Sequence, residues 1–356
     1  MQKRSRTLIM IPKPTSTIIA VYLQDICILK ETIIHHSTPN DRIEDQVELR
    51  KKAITQLLID VGINLSKLDA ITTTGGLIRA VEGGTYIVNE QMYADLKNNY
   101  NGKHISNLGG LIAYSIAADL NLHAFIVDPP VVDELENMAR ISGAPFVERK
   151  SVFHALNHKA VARLAAEELS VRYEKANFIV AHLGNGITIG AHQEGKVVDV
   201  NNGLHGEGPF SLERAGSIPT EDVLHVAFSK ECDEASFIHQ VTFESGLKGY
   251  LRIDSLDQLL SAIEKQEAQT LFYVEAMAYQ IAKEIGAMST VLRGKVDGIV
   301  LTGQLSHVNE LVASISKNVQ WIADIHVFPG DYDLVALQSG TLRVLQGLEQ
   351  PKRYFE

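Results

Sequence analysis

Two stretches of the chain, far apart in sequence, share the same order of apolar and polar residues. The first, TLIMIPKPTSTIIAVYLQDICILKETI (residues 7–33), has apolar runs separated by a hydroxyl-rich turn and by a second turn at 24–25. The second, NFIVAHLGNGITIGAHQEGKVVDV (177–200), repeats that order, with turns at 183–186 and 193–195. Each pattern predicts three consecutive strands joined by tight turns. We interpret the pair as a duplicated α/β core, with chance resemblance as the alternative because few letters are identical.

After each opening, the apolar residues change to a helical spacing. Segments in which apolar residues recur every three or four positions predict helices, and short apolar runs between them predict strands. Strands that alternate with helices are typical of parallel or mixed sheets covered on both faces, so the sequence predicts an α/β protein. The predicted elements are a helix at 42–62, a strand at 70–73, a helix at 107–122, a strand at 124–128, a helix at 267–294, strands at 297–303 and 325–329, and a last helix from about 334 to 348.

Length, charge and cysteine usage narrow the class of protein. A chain of 356 residues exceeds what one core usually holds, so we expect two domains. The net charge is −10 without a basic block, which argues against a nucleic acid or an anionic membrane as a partner. No apolar run approaches the roughly 18 residues of a membrane span, and Pro12 ends an N-terminal apolar stretch that is too short for a secretion signal. Cys27 and Cys232 show neither metal nor disulfide spacing, so we expect a reducing cytoplasm.

The stretch AHLGNGITIG (181–190) is the most informative part of the chain. It places His182 at a strand end and follows it with Gly184, Asn185 and Gly186 in a tight turn. Glycines let the backbone approach a ligand closely, while histidine and asparagine side chains can donate to phosphate oxygens. The alternative is an ordinary hairpin, because Asn-Gly is a favoured turn dipeptide.

A glycine-rich segment, VNNGLHGEGPFSLERAGSIPT (200–220), follows the second opening. It contains Gly206 and Gly208 and a single arginine, Arg214. The guanidinium group of such an arginine can bind a carboxylate or a phosphoryl group that is being transferred. The alternative is a surface loop with a solvated arginine.

Other candidates lie where predicted strands and helices meet. Asp128 closes an apolar strand and precedes two prolines, a position where open α/β sheets bind ligands, although it could equally be a helix cap. His154 lies near the start of a predicted helix, where a lone histidine is more often a packed or surface residue than a catalyst. Thr302 and Gly303 end a buried strand, where a nucleotide could approach the backbone or the chain could simply turn into a helix.

The first turn, PKPTST (12–17), looks suited to an anion but is short of donors. The hydroxyl groups of Thr15, Ser16 and Thr17 can donate hydrogen bonds, whereas the flanking prolines have no N–H group.

Taken together, these segments resemble the butyrate kinase branch of the acetate kinase family, within the superfamily of sugar kinases, Hsc70 and actin. The resemblance runs nearly end to end. Its motifs are GGTYIVNE, SNLGGLIAY, AFIVDPPVVDELENMARISG, SVFHALNHKAVAR, VAHLGNGITIGAH, DVNNGLHGEGPFSLERAG, EAMAYQIAKEIGAM, VDGIVLTG and VFPGDYDLVAL.

The resemblance implies two domains of duplicated ribonuclease H-like fold with a cleft between them. The N-terminal domain would comprise residues 1–130 plus 335–356, and residues 131–334 would form a nucleotide-binding and oligomerisation domain. The implied activity is reversible, direct phosphoryl transfer from ATP to a short-chain carboxylate, butyrate or a branched analogue, with Mg²⁺. The implied partners are the short-chain fatty acid or its acyl phosphate, and a second copy of the chain in a homodimer or larger homo-oligomer.

The resemblance also implies roles for individual residues. Arg214 would bind the acid or the phosphoryl group, and His154 and His182 would donate to phosphoryl oxygens. Asp128 would help place Mg²⁺ or the nucleophile, and Asp333 stands where a metal-side glutamate is expected. The residues assigned to nucleotide or phosphate binding are Thr15, Ser16, Thr17, Gly184, Asn185, Gly186, Gly206, Gly208, Thr302 and Gly303.

Several departures from the family pattern bear on activity. The Asn and Lys of the family's first turn are replaced by Ile11 and Ile18, and Thr74 stands where an active-site arginine is expected. His205 replaces an aspartate of the glycine-rich loop, and Ile253 lies in a stretch that the family uses near the nucleotide. Losing a charged contact to the transition state costs about 10²- to 10³-fold in rate. The sequence therefore leaves two hypotheses, a working carboxylate kinase and a catalytically impaired kinase-fold protein that binds a ligand or partner.

Overall fold

The chain folds into two compact units in a computed structural model that describes residues 4–35, 43–204, 206–229 and 233–355. The first unit contains the residues up to Val132 together with those from Tyr332 onward, and the second runs from Asp133 to Asp331. His205 and Cys232 lie outside the described residues.

A seven-stranded sheet forms the centre of the first unit. Its strand order is β12-β5-β6-β4-β1-β2-β3. The first three strands form an antiparallel meander, and β4 and β6 continue the sheet parallel to β1. The strands are β1 (Arg6–Pro12), β2 (Ser16–Leu23), β3 (Ile26–Ile34), β4 (Ala70–Thr74), β5 (Thr85–Ile87), β6 (His123–Val127) and, at the edge, β12 (Lys352–Arg353).

The second unit repeats this topology in a five-stranded sheet of order β11-β10-β7-β8-β9. An antiparallel three-strand meander is again followed by two strands parallel to its first strand. The shared order confirms the duplication that the sequence predicts. The strands are β7 (Asn177–Leu183), β8 (Ile187–Gln193), β9 (Lys196–Val200), β10 (Gly298–Gly303) and β11 (Ile325–Pro329).

Helices cover both sheets, as the interleaved pattern predicts. In the first unit, alternate strand residues such as Leu8 and Ile71 join a core with helices α1 and α3, while Thr72 faces Thr341 of the last helix. The two faces of the sheet are thus covered by different helices. The helices are α1 (Ile43–Asp60), α2 (Glu90–Lys97), α3 (Asn107–Leu120), α4 (Ala155–Glu168), α5 (Thr220–Ala227), α6 (Glu234–Phe243), α7 (Gly246–Leu251), α8 (Leu256–Glu264), α9 (Ala268–Val291), α10 (Asn309–Val319) and α11 (Asp333–Leu345).

In the second unit, the long helix α9 supplies most of the core on one side of the sheet. Met277, Ile281 and Ile285 of α9 are fully buried and belong to one cluster with Ile179 and Ile189 of the strands. Helix α4 contacts β7 and β10. No helix in the described part of the chain is long and apolar enough to cross a membrane.

The C-terminal segment is held to the first unit by a buried tyrosine. The Tyr354 hydroxyl group donates to Asp95 Oδ2 at 2.7 Å and accepts from the backbone N–H of Arg79 at 2.8 Å. The Arg79 guanidinium group in turn donates to the same carboxylate at 2.8 Å. Since Tyr354 is 1% exposed, these polar contacts lie in the interior and are costly to break.

Candidate functional site

The predicted phosphate turn of the second unit lies at the edge of the sheet where its parallel strands end. Strands β7, β10 and β11 finish at Leu183, Gly303 and Pro329, and the β7–β8 turn occupies the same edge. His182 is the direct neighbour of Thr302 in the paired strands. The carboxyl ends of parallel strands are where open α/β sheets bind ligands. The fold thus brings His182, the glycine turn, Thr302 and Gly303 to one place.

Thr302 and Gly303 already use their polar groups within the fold. The Thr302 hydroxyl group is buried and donates to the carbonyl oxygen of Gly330 at 3.4 Å. Gly303 and Gly330 exchange backbone hydrogen bonds at 3.0 and 3.1 Å. Gly303 has φ of +89°, and a Cβ atom there would collide with the backbone of Leu183. These residues therefore tie β10 to its neighbouring strands at the candidate site.

Arg214 packs its guanidinium group against the glycine turn. Its Nη1 donates to the carbonyl oxygen of Gly203, whereas its Nε is buried and has no hydrogen-bond partner. A Cβ atom at Gly186 would collide with this guanidinium group, so the missing side chain makes the close approach possible. Burial lowers the pKa of Arg214, although an arginine stays charged at any physiological pH. The turn therefore carries a partly unsatisfied positive charge on its surface.

Asn185 is the exposed tip of the same turn. Its side chain hydrogen-bonds to Glu213, and burial raises the pKa of that carboxyl group. The Ser211 hydroxyl group donates to the carbonyl oxygen of Asn185. The segment that carries Arg214 is thus hydrogen-bonded to the turn through Glu213 and Ser211.

Two histidines stack beside the arginine. The rings of His154 and His182 have centroids 3.8 Å apart and planes inclined by 16°. His154 lies immediately before helix α4, close to the predicted position near the start of a helix, and remains partly exposed, whereas His182 is 6% exposed. Burial lowers the pKa of His182 to about 4, with a further contribution from the charge of Arg214. Burial and the neighbouring His182, His158 and Arg214 hold the pKa of His154 well below its ordinary value. Both rings are therefore neutral at physiological pH.

An asparagine and an aspartate act on His182. Its Nδ1 lies 3.2 Å from Oδ1 of Asn157, so the proton of the neutral ring is on Nδ1 and donates to that oxygen. The charge of Asp331 raises the pKa of His182 and opposes the effect of burial. Asp331 Oδ2 accepts a hydrogen bond from Gln304 Nε2 at 3.0 Å. In this tautomer Nε2 of His182 is an acceptor rather than a donor.

An arginine side chain connects the glycine-rich loop to the strand that precedes it. Arg149 donates to Asp199 Oδ1 at 3.0 Å, to Glu207 Oε2 at 3.1 Å and to the carbonyl oxygen of Val200 at 3.0 Å. Gly208 bonds through its backbone to Ser217 in both directions. The backbone of Gly208 is therefore used inside the loop.

A cavity of about 420 Å³ opens beside Arg214. Gly206 lies on its wall, and the Glu207 carboxylate on that wall is already occupied by Arg149 and by the N–H group of Asn202. Arg214, whose Nε is unpaired, thus lies at the edge of a mostly apolar space, which suits an anion with an apolar tail. The apolar residues of the wall include Ile187, Leu204, Pro209, Ile218, Phe237 and Val241.

In the first unit, a buried arginine supports the predicted first phosphate turn. Arg50 is fully buried and donates to the carbonyl oxygens of Lys13 at 3.0 Å, Pro14 at 2.9 Å and Ser16 at 2.8 Å. The Thr17 hydroxyl group is also buried. It accepts from Arg50 at 3.2 Å and bonds to His35 at 2.8 Å. Among the predicted hydroxyl donors, Thr15 is exposed and Ser16 is partly exposed, so these two residues are more accessible than Thr17.

Asp128 lies directly after strand β6 and is 2% exposed. Its Oδ1 accepts from the backbone N–H of Gly84 at 2.7 Å, and its φ of +39° is unusual for a residue with a side chain. Thr74, in the arginine position of the family, ends the neighbouring strand β4. Asp333, the other predicted metal ligand, is the first residue of helix α11 in the first unit.

Comparison with known families identifies the chain. The sequence model of the acetokinase family matches residues 138–323, more than half of the sequence. The chain belongs to the acetokinase family. Within this family member, the matched segment contains His154, His182, the glycine turn and Arg214, and it excludes the first unit.

Solved structures agree with this member of the acetokinase family in fold. The acetate kinase of Porphyromonas gingivalis superimposes with a TM-score of 0.80 at 17% identity, covering 96% of this chain and all (100%) of that one. A propionate kinase from Francisella tularensis gives 0.74 at 17% identity, covering 94% and 98%. The acetate kinase of Entamoeba histolytica gives 0.73 at 18% identity, covering 95% and 99%. The predicted fold, two α/β domains of duplicated actin/Hsc70 type, is therefore confirmed.

At three positions where this family member departs from the acetokinase pattern, an isoleucine is buried or partly buried. Ile11 and Ile18, which replace the expected Asn and Lys, face each other across strands β1 and β2. Ile11 is 6% exposed and Ile18 partly buried, so an apolar cross-strand pair stands where the family has a polar one. Ile253 is 8% exposed and belongs to the core of the second unit.

Several residues of the two predicted phosphate regions have no counterpart among the sequence predictions. The sequence gives no sign of the roles of Arg50 and Arg149, because nothing local shows that the side chain of each one binds a loop distant in sequence. Asp331 lies in the motif VFPGDYDLVAL, but the resemblance directed attention to Asp333 instead. His158 carried a usable signal, because it follows His154 by four residues and therefore lies on the same helical face.

Proposed function

We propose that this acetokinase family member is an ATP-dependent carboxylate kinase that phosphorylates a short-chain monocarboxylate, butyrate or a branched analogue, reversibly. The observation that carries the proposal is the guanidinium group of Arg214, which lies on the Gly186 turn with its Nε unpaired, lines an apolar cavity and acts electrostatically on both stacked histidines. Arg214 is partly buried beside Glu213, and an anion in the cavity would add charge-assisted hydrogen bonds to its guanidinium group.

In this proposal, each group of the candidate site in the second unit has one role in the phosphoryl transfer. Arg214 would hold the carboxylate or the equatorial oxygens of the phosphoryl group, which bear the charge of the transition state. His154 would donate a hydrogen bond to one of those oxygens through Nε2. The glycine turn would bring backbone N–H groups to the phosphate. Because all these groups are held by neighbours, little reorganisation would be needed during the reaction.

The residues present fit Mg²⁺–ATP, which supplies the phosphoryl group and neutralises its charge when bound. Among the described residues, no cluster of three or more His, Cys, Asp or Glu side chains could hold a metal on its own. A nucleotide-bound Mg²⁺ needs only one or two protein carboxylates, since phosphate oxygens and water complete its shell. Asp331 meets that need in the second unit, because its carboxylate acts on His182 and is oriented by Gln304. Asp128 and Asp333 remain our candidates in the first unit.

The cavity beside Arg214 supports an acid longer than acetate. Its volume of about 420 Å³ falls within the range of small-molecule sites and exceeds what a two-carbon acid fills. Each buried CH₂ group contributes about 0.8 kcal/mol to binding. We therefore expect KM to fall from acetate to butyrate and to branched acids of similar size.

A second candidate function is ligand binding without catalysis. The apolar Ile11–Ile18 pair in the first phosphate turn favours it, as does Thr74 in place of an arginine. Removing two charged contacts from the transition state would cost several kcal/mol, or roughly 10⁴-fold in rate or more.

The two candidates are separated by hydroxamate formation from ATP–Mg²⁺, hydroxylamine and a series of straight and branched C2 to C6 acids. A kinase forms hydroxamate above a blank without protein, and Arg214→Ala reduces kcat/KM by at least about 10²-fold. The matched control is Arg172→Ala, because the Arg172 side chain is 77% exposed and lies in the same unit. If none of the acids gives product while calorimetry detects ATP binding, the second candidate is correct and the kinase assignment is wrong.

A further inference from the structure

A continuous chain of hydrogen bonds leads from the interior of the second unit to His154. The Tyr173 hydroxyl group lies 2.9 Å from Nδ1 of His192, and Nε2 of His192 lies 3.3 Å from Nδ1 of His158. Nε2 of His158 lies 2.8 Å from Oγ1 of Thr188, which lies 3.0 Å from Nδ1 of His154. Apart from His154, every member is at most 4% exposed.

The chemistry of these groups fixes the direction of the chain. A neutral imidazole has one N–H donor and one acceptor nitrogen, so a ring that accepts through one nitrogen donates to the next group through the other. Tyr173 donates to His192, because an imidazole nitrogen is a better acceptor than a phenol oxygen. His192 then donates through Nε2 to His158, and His158 donates through Nε2 to Thr188. The Thr188 hydroxyl proton is left to donate to Nδ1 of His154.

This direction of donation requires neutral histidine rings, and the rings of His158 and His192 are neutral. Burial, followed by the charges of neighbouring groups, holds the pKa of His158 and of His192 well below the ordinary value. The rings of His158 and His192 are also stacked, with centroids 5.5 Å apart and planes inclined by 15°. Two imidazolium ions at that separation in the interior would repel each other strongly, so both rings are neutral in the folded chain.

The far end of the chain reaches the candidate site. With Nδ1 of His154 accepting from Thr188, the single proton of the neutral ring is on Nε2. Nε2 of His154 has no hydrogen-bond partner among the described residues, and His154 stacks on His182 beside Arg214. Transfer of a phosphoryl group to a carboxylate neither releases nor takes up a proton, so a proton path has no use here. A fixed donor does have a use, because the transferred oxygens need hydrogen bonds.

We propose that Tyr173, His192, His158 and Thr188 are positioning residues that hold His154 as its Nε2–H tautomer, and so make it a hydrogen-bond donor to the transferring phosphoryl group. The tautomer assignment stands on the described contacts and on the neutral state of the buried rings. Its catalytic use rests on the proposed function.

The tautomer is tested by nitrogen NMR of protein labelled with ¹⁵N-histidine, with the His154 signals assigned by their loss in His154→Gln. We expect Nε2 of His154 to show the shift of a protonated nitrogen and Nδ1 that of an acceptor, unchanged between pH 6 and 8. Thr188→Val should mix or reverse the two shifts, and Thr188→Ser, which keeps the hydroxyl group, should preserve them. An Nδ1–H tautomer or an imidazolium in the wild type would overturn the proposal, as would an unchanged spectrum in Thr188→Val.

Kinetics test the use of the tautomer. Thr188→Val should lower kcat about 10- to 100-fold, with KM for ATP changed less than about twofold, and Thr188→Ser should restore most of it. Tyr173→Phe should lower kcat in the same way, whereas Tyr86→Phe should not. Tyr86 is a matched control because its hydroxyl group is also hydrogen-bonded, to the carbonyl oxygen of Glu82, and its ring is 5% exposed.

The two kinds of failure can be distinguished. A wild-type protein that forms no acyl phosphate but shows the expected ¹⁵N shifts would contradict the proposed function and leave the tautomer assignment correct. An active wild-type enzyme in which Thr188→Val and Thr188→Ser lose kcat equally would show a packing effect and overturn the positioning role.

Discussion

The buried His182 ring should make the second unit sensitive to mild acid. Protonating the ring in the folded chain requires a charge at a site that is 6% exposed and lies near Arg214. The pKa of His182 is accordingly lowered to about 4 in the folded chain, whereas an unfolded chain restores a value near 6.5. Between these two values the unfolded state binds more protons than the folded state.

The sign and size of the effect follow from that difference. Where the unfolded state binds more protons, the free energy of unfolding rises with pH, so it must fall as the pH is lowered through 6.5 toward 4. For a pKa of about 4 in the folded chain against one near 6.5, moving from pH 7 to pH 5 removes about 2 kcal/mol. His154, His158 and His192 have pKa values lowered in the same direction and add to this loss.

Urea unfolding at pH 7 and pH 5, followed by circular dichroism, measures the effect. The comparison with His182→Gln isolates the contribution of this ring from that of the other titrating groups. The wild type should lose about 2 kcal/mol more than His182→Gln over this interval. The control His225→Gln makes the same chemical change at a side chain that is 77% exposed. Equal pH dependence of the wild type and His182→Gln would refute the reasoning.

Three further predictions concern single contacts. Gly186→Ala should lower kcat/KM in the hydroxamate assay about 10²-fold, because its Cβ atom displaces the adjacent guanidinium group of Arg214. The control Gly286→Ala has open space around the added Cβ atom and should leave activity unchanged, and equal activity of the two variants would refute the contact. Tyr354→Phe should reduce the free energy of unfolding of the first unit by about 1–3 kcal/mol, because it leaves a buried carboxylate short of a donor, and circular dichroism in urea measures it; no change would contradict the anchoring role. Asn157→Asp should raise the pKa of His182 by about 1–3 units in an NMR titration, because a carboxylate then faces Nδ1, and an unchanged pKa would exclude the assigned hydrogen bond.

The sequence predicts the strands and hairpins of both sheets well because their signals are local. The turns at 24–25 and 183–186 join runs that alternate or are wholly apolar, and the structure confirms both meanders. The order of the remaining strands is a non-local property. It became predictable only through the repeat and the family resemblance.

The candidate site was predictable where chemistry coincides with a turn. Glycine residues beside His182, and a lone arginine in a glycine-rich loop, are visible in the sequence, and the structure brings Arg214 onto Gly186. The hydrogen-bonded chain behind His154 was not visible, because a histidine inside an apolar strand or helix looks the same whether it pairs or packs. His192, for example, is identified only by its contact with His158.

The partners of a buried arginine are the clearest example of a feature that the sequence alone does not predict. Arg50 lies in a helix rich in charged residues, on the same helical face as Val47 and Ile54, where an apolar residue is expected. The structure buries Arg50 completely, because the carbonyl oxygens of the turn at 13–16 need a donor and supply the acceptors that a buried guanidinium group requires. No local pattern records a pairing across more than thirty residues of chain.

The reverse reaction, followed by phosphorus NMR, tests the central claim most directly. Purified protein is mixed with ADP, Mg²⁺ and butyryl phosphate, and the γ-phosphate signal of ATP is monitored beside that of inorganic phosphate. The account predicts that ATP appears as butyryl phosphate is consumed, and that Arg214→Ala removes the signal while Arg172→Ala retains it. Decay of butyryl phosphate to inorganic phosphate at the rate of the protein-free blank, without ATP, would contradict the assignment of this chain as a carboxylate kinase.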